Sequence, residues 1–348
     1  MRTLLASLRH PIIQAPMAGV QNAELAIAAC RAGIMGSLPA AMLTPEQLQT
    51  ELDSIRSAVG QAVYNVNFFA HRPAAPSAEQ HHAWLALLKP YFDAFGLSAD
   101  NLPAGSGRRP FDETALQIIE AFRPPVVSFH FGLPEPKLLA AVKATGAKIL
   151  SSATTVAEAR WLAAHGADAV IAQGWEAGGH RGMFLQRDIH NQSGTFSLLP
   201  NIRRAIDLPV IAAGGISDAD TVRAAFALGA HAVQAGTAFL LADEAATSPA
   251  HRQALISRAG ADATVVTNLI SGGFARGLPN RLTLELGPIH PAALPFPLAG
   301  TACALLKNAA EQQGSTEFSA FWCGQNAALA ETGSTADIVA RLAAGLAT

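Results

Sequence analysis

His180 lies in the run Gly174-Trp175-Glu176-Ala177-Gly178-Gly179-His180-Arg181-Gly182, where Gly178, Gly179 and Gly182 leave the backbone beside it almost bare. A loop so stripped can press close to a ligand, and an imidazole there suits proton transfer or the holding of an anion. The plain alternative is a histidine on a surface loop. His130 closes the apolar run Val127-Ser128-Phe129-His130-Phe131-Gly132, where it would serve either a site or a satisfied core position. Two further points, Gly214-Gly215 before a helical pattern and Gly236-Thr237 after an apolar run, offer bare N–H groups. With a helix N-terminus nearby, such a pair forms a phosphate seat, although any tight turn also favours glycine.

Gln173 immediately precedes the His180 loop. Its amide both donates and accepts, so it could pair with the edge of a heterocycle such as a flavin's pyrimidine ring. Asn67 could do similar work, and either residue could instead cap a strand end. Met17 and Ala18, in Ala15-Pro16-Met17-Ala18-Gly19, could rest against a flat ring, or Met17 could belong to the core. Metal chemistry finds no support: His81 and His82 are adjacent and diverge on a helix, and no HExxH or carboxylate cluster occurs. Nothing local activates Cys303 or Cys323, and Ser193 and Ser217 lack a nucleophile elbow.

These residues need a frame that brings them together. Eight short apolar runs recur: Pro11–Ala15, Gly33–Leu38, Ala62–Phe69, Pro125–Phe131, Lys148–Ser152, Ala169–Gln173, Pro209–Ala213 and Ala232–Ala235. Nearly continuous apolar runs are those of parallel strands covered on both faces. Helical stretches between them start at capping patterns: Thr44-Pro45-Glu46-Gln47, Thr155-Val156-Ala157-Glu158 and Ser217-Asp218-Ala219-Asp220. The rhythm predicts an α/β fold, a TIM (β/α)8 barrel, with function at the loops after the strands. No glycine fingerprint of a doubly wound sheet follows the first run.

Residues 70–123 are too many for one crossover and read as an insertion, with a helix over Glu79–Phe92 and a Gly/Pro/Arg loop over Leu102–Pro110. Residues 175–199 read mostly as loop, a candidate lid or pocket wall. Strand signals fade beyond Ser248. The expected division is a barrel over 1–248 and a helical or irregular region over 249–348, packed over the barrel mouth.

Composition narrows the function. Of 348 residues half are hydrophobic and 14% charged, with a net charge of -2, so neither disorder nor nucleic-acid binding is expected. Three widely spaced cysteines read as thiols in a reducing compartment. No signal peptide or membrane span is apparent, and a cytoplasmic monomer or homodimer is expected.

Taken together, the blocks Gln14–Gly19, Asn65–Asn67, Val127–Gly132, Gly174–Gly182, Ala213–Ile216 and Gln234–Thr237 resemble the nitronate monooxygenase family, formerly 2-nitropropane dioxygenases, in its bacterial class I branch. Thr267-Asn268, Gly277–Asn280 and Phe321–Gln325 extend the likeness to about Ala328. The resemblance implies a flavoprotein that binds FMN without a covalent bond and uses O2 to oxidise alkyl nitronates, propionate 3-nitronate or a similar small anion, to a carbonyl compound and nitrite or nitrate. It implies the FMN phosphate at Gly179, Gly215, Gly236 and Thr237 and the ring near Met17, Ala18, Asn67 and Gln173, with Gly19, Gly178 and Gly214 also among the cofactor-binding residues. His180 and His130 would be the catalytic pair on the substrate side, and no metal is implied. Class I relatives tend to offer a Tyr and a Lys near the C-terminus, whereas Leu294–Ala299 has neither and Lys307 lies further on. That departure leaves room for a less carboxylate-like substrate. The competing reading is an NAD(P)H-dependent FMN reductase of an enoyl thioester or quinone.

Overall fold

The computed structural model describes residues 1–99, 102, 108–257 and 263–347. Most of the Gly/Pro/Arg loop expected over Leu102–Pro110 lies outside the described residues. In chain order the first seven strands are β1 (Ile12–Gln14), β2 (Gly36–Pro39), β3 (Tyr64–Phe69), β4 (Val126–His130), β5 (Lys148–Ala153), β6 (Ala169–Gln173) and the two-residue β7 (Gly179–His180). They are followed by β8 (Val210–Ala213) and β9 (Ala232–Ala235). All but β7 form one parallel sheet in the order β1-β9-β8-β6-β5-β4-β3-β2. A parallel bridge between Ile13 and Met35 joins its two edges, so the sheet closes into the expected barrel. Met35 N–H donates to Ile12 O at 3.0 Å and Gln14 N–H to Met35 O at 2.9 Å across this seam.

Alternation along each strand separates two cores. Val170, Ala172, Val210 and Ala212 point outward into one cluster with the surrounding helices. Their neighbours Ala169, Ile171, Ile211 and Ala213 point inward into another, joined by Ile13, Met35 and Leu150. Leu5 of the helix Arg2–Ala6, with Met1, Leu4 and Leu8 beside it, packs onto this inner cluster and plugs the barrel floor. The caps form as expected. Thr44 and Asp218 build reciprocal boxes with Gln47 and Thr221, and Thr155 accepts from Glu158 N–H. Each such cap contributes about 1 kcal/mol.

Three departures from the expected layout matter. Residues 175–199 hold β7, a 3-10 turn at Ile189–Asn191 and the start of the helix Thr195–Ala205, so this stretch is less irregular than expected. Strands do not end near Ser248: β10 (Val265–Thr267) and β11 (Ala275–Gly277) form an antiparallel pair, and β11 pairs with β7. They escape a sequence reading because each spans three residues and the partner is a glycine-rich pair far away in the chain. Finally, the helix Thr335–Ala343 packs against Ala23–Arg31 and Ala219–Ala227 on the barrel flank. Its Ile338, Val339 and Leu342 are buried there in the outer core, each worth about 1.5–3 kcal/mol of apolar burial. Among the described residues no helix is long and apolar enough to cross a membrane.

Candidate active site

Strand parity decides which side chains reach the barrel mouth. On β6, Gln173 shares its parity with Ala169 and Ile171 and so turns inward at the last position. On β4, Val126 belongs to the inner core while Val127 and Phe129 belong to the outer one, which sends Ser128 and His130 inward. On β3 the outward set is Tyr64, Val66 and Phe68, leaving Asn67 and Phe69 for the mouth. One cavity opens over these strand ends. Its wall includes Met17, Ala18, Asn67, His130, Gln173, Gly178, Gly179, His180, Gly214, Gly215, Gly236 and Thr237. Of the expected site residues Gly19 alone lies outside this lining; it turns the chain at φ +86° behind Met17.

One end of the cavity is backbone. Gly179, Gly214 and Gly215 have φ of +68°, +104° and +74°, conformations that favour glycine. A Cβ on Gly179 would meet nothing within 4 Å, so open space faces it. Gly178 is different, because a Cβ there would strike the backbone of Cys323. At Gly236 a Cβ would come to 3.3 Å from Ala15 Cβ. The Thr237 hydroxyl accepts from Gly324 N–H at 2.9 Å, and Asn326 Nδ2 donates to Gly215 O at 2.8 Å, tying this end to the C-terminal segment. Glu176 holds the loop by accepting from both the N–H and the hydroxyl of Thr195, which anchors the start of Thr195–Ala205. Two buried polar atoms in the wall, Gln234 Oε1 and His251 Nε2, have no hydrogen-bond partner.

The other end is built of side chains. His180 O accepts from Gln173 Nε2 at 2.9 Å and from His130 Nε2 at 3.0 Å. A carbonyl only accepts, so His130 carries its proton on Nε2, and its Nδ1 accepts a hydrogen bond from the Ser152 hydroxyl at 3.0 Å. Gln173 Oε1 accepts from Gly182 N–H at 2.7 Å, so this amide clamps the loop at two points. The buried Arg181 guanidinium donates to Gln173 O and Gln192 Oε1 and lies over the Trp175 ring. Pairing of β7 with β11 sets His180 opposite Ala275, and Arg181 N–H donates to Phe274 O at 2.7 Å.

The His180 ring itself meets Phe296, Trp322, Phe131 and Phe69 at centroid distances of 5.1 to 6.5 Å. Its Nε2 lies 2.8 Å from Ser271 Oγ. Burial lowers its pKa well below 6.5, and the charges of Arg108, His130 and His71 push the same way. Burial also pushes His130 and His71 down to about 4, with the Arg108 charge adding to the effect on His71. All three rings are therefore neutral at pH 7. Phe131 has φ +70°, rare for a bulky side chain, and this turn carries its ring against Phe296 at 4.9 Å.

Several wall residues carry no local signal that would mark them as such: Arg108 and His251, with Ser271 behind His180. Trp322, Glu176 and Gln234 stand within the quoted blocks without a role read from them.

Comparison with known proteins agrees with this fold. A model of the nitronate monooxygenase family matches residues 1–345. A nitronate monooxygenase of Paraburkholderia phytofirmans is 40% identical over 340 residues, covering 97% of this chain and 92% of that one. The nitronate monooxygenase of Pseudomonas aeruginosa is 40% identical over 346 residues, covering 98% and 97%. Among solved structures, nitroalkane oxidase from Streptomyces ansochromogenes superposes with a TM-score of 0.90 at 36% identity, covering 99% of this chain and 97% of that one. With its whole length matched and its loop, barrel and glycine turns in place, the chain belongs to the nitronate monooxygenase family of oxidoreductases.

Proposed function

We propose that the protein oxidises small alkyl nitronates with O2, using FMN held in the barrel mouth. One observation carries the reading: a glycine-lined backbone end and a neutral, aromatic-packed His180 share one cavity. The residues fit FMN. Open space faces Gly179, and the wall keeps two polar atoms without partners, Gln234 Oε1 and His251 Nε2. Gly178, Gly179, Gly214, Gly215, Gly236 and Thr237 would hold the phosphate, and Met17, Ala18, Asn67 and Gln173 the ring. When bound, FMN supplies the electron-transfer and O2 chemistry that side chains lack.

The chain's own residues would do the rest. A nitronate is already an anion, so its carbon needs no deprotonation, and orientation is the main requirement. Ser271 has one hydroxyl proton, which goes either to His180 Nε2 or to Gly273 O, 3.4 Å away. In the first case the other imidazole nitrogen carries an N–H to hold the nitro oxygens. In the second it carries a lone pair that would take a proton from a neutral nitroalkane. His130 is a positioning residue in this scheme, because both its ring nitrogens are engaged within the protein. The aromatic rings around His180 exclude water, which strengthens each of these hydrogen bonds.

The test is purification with a flavin absorbance spectrum, then oxygen uptake with alkyl nitronates set against NADH and NADPH. Yellow protein, oxygen uptake with nitronates and no response to the nicotinamides are expected. Flavin reduction by NADPH without nitronate turnover would overturn the proposal in favour of a reductase.

A further inference from the structure

Among the described residues the cavity wall holds one arginine and no lysine, and that arginine comes from the segment inserted between β3 and β4. Arg108 lines the cavity together with Phe69, His130, His180 and Trp322. Its place is shaped by a residue far along the chain. Gly300 stands in the first turn of the helix Ala299–Gln312, and a Cβ there would come to 2.9 Å from an Arg108 guanidinium nitrogen. The same Cβ would lie 3.8 Å from Ser271 Cα, and Ser271 is the residue that holds His180. Glycine at 300 thus leaves the room in which the guanidinium sits, beside the support of the reactive imidazole. The charge of Arg108 reaches the two histidines on this side, since it disfavours protonation of both His180 and His71.

We infer that Arg108 is the specificity-determining residue of this pocket and selects nitronates that carry a second anionic group, a carboxylate, on the same short chain. A guanidinium keeps its charge in partly apolar surroundings and presents a planar fork of donors that matches a carboxylate. A plain alkyl nitronate brings one charged group, which His180 meets. A carboxylated one brings two, and the second lands on a cation already placed in the wall. The absence of a Tyr and a Lys from Leu294–Ala299 is then no bar to such a substrate, because the charge arrives from another part of the chain. The inference rests on the nitronate reading above.

The experiment compares propionate 3-nitronate with propyl-1-nitronate on the flavin-loaded enzyme, as oxygen uptake, for wild type, Arg108→Met and Arg108→Lys. The ratio of kcat/KM values, carboxylated over plain, is expected to fall at least about tenfold in Arg108→Met, the scale of one lost charge-assisted hydrogen bond. Lysine, a point charge without the fork, should restore part of it. Gly300→Ala should lower the ratio in the same direction by crowding the guanidinium, which gives a second route if Arg108→Met folds poorly. An unchanged ratio in Arg108→Met and Gly300→Ala, or an equal loss on both substrates, would overturn the assignment. Should wild type oxidise neither nitronate, the functional reading fails by itself. The same variants are then read by equilibrium titration of the flavin spectrum with succinate: binding weakened at least tenfold by Arg108→Met supports the anion site, and equal or absent binding in all of them sinks it.

Discussion

The two ends of the cavity are made by opposite means. The glycine end is backbone shaped by short local sequences, in which φ values near +70° to +100° at Gly179, Gly214 and Gly215 set the surface. The histidine end is side chains gathered from distant segments: Phe69 from β3, His130 from β4, His180 from β7, and Arg108, Ser271, Phe296 and Trp322 from outside the barrel strands. A backbone surface tolerates little substitution because positive φ at these glycines strains any side chain, and at Gly179 an added Cβ would take up the open space of the cavity itself. A side-chain surface can be retuned one residue at a time, so variation in substrate should concentrate at the histidine end.

The sharpest break of this contrast is at the glycine end. Gly215→Leu and Gly236→Leu should abolish flavin retention, since a side chain would fill the seat and, at Gly215, also face φ +74°. Flavin absorbance per protein after gel filtration measures it, and full occupancy in both variants would contradict the assignment. Next in size, His180→Asn should keep the flavin and lower kcat/KM for nitronates by about 10²–10⁴-fold. Because His180 titrates well below 6.5, the wild-type kcat/KM should show no step from this residue between about pH 6.5 and 8.

A broader effect concerns acid. His71, His130 and His251 titrate near 4 in the folded protein, against an ordinary 6.5. Between those values the unfolded chain binds more protons, so stability rises with pH across this window. It is complete above 6.5 and is lost as pH falls toward 4. Thermal melts should show Tm dropping over that range, with a shallower fall in His251→Gln; identical slopes would remove His251 from the account. The smallest expected change is Ser152→Ala, which deprives His130 Nδ1 of its donor. A loss of about 1 kcal/mol, read as a few-fold lower kcat/KM with the flavin retained, is expected.

Much of the frame is legible in sequence because its signals are local. Thr44, Thr155 and Asp218 announce their helices within four residues, and the apolar runs of β5, β6 and β8 need no partner to be read. Gln173 at the end of its run is legible as an inward-facing amide for the same reason. Its two bonds to the loop it precedes, to His180 O and Gly182 N–H, are not, because only the folded loop shows that the amide turns back on its own chain. His130 looks like a reacting group from its position, whereas its hydrogen bonds are those of a brace. Arg108 and Ser271 carry no pattern that links them to His180 across 72 and 91 positions, and packing alone makes them neighbours. The three-residue strands β10 and β11 fall below the length at which periodicity says anything.

The rung between β7 and β11 has a consequence for traffic. The loop that carries β7 is splinted into a three-stranded ribbon and clamped again by Gln173, His130 and Arg181, so swinging it aside would break all of these bonds together. The cavity beside it is bounded from outside the barrel by Ala320, Trp322, Cys323 and Asn326 of the C-terminal segment. Substitutions at Trp322 or Asn326, which stand in the wall from outside the barrel, would thus reshape the doorway without altering a barrel strand.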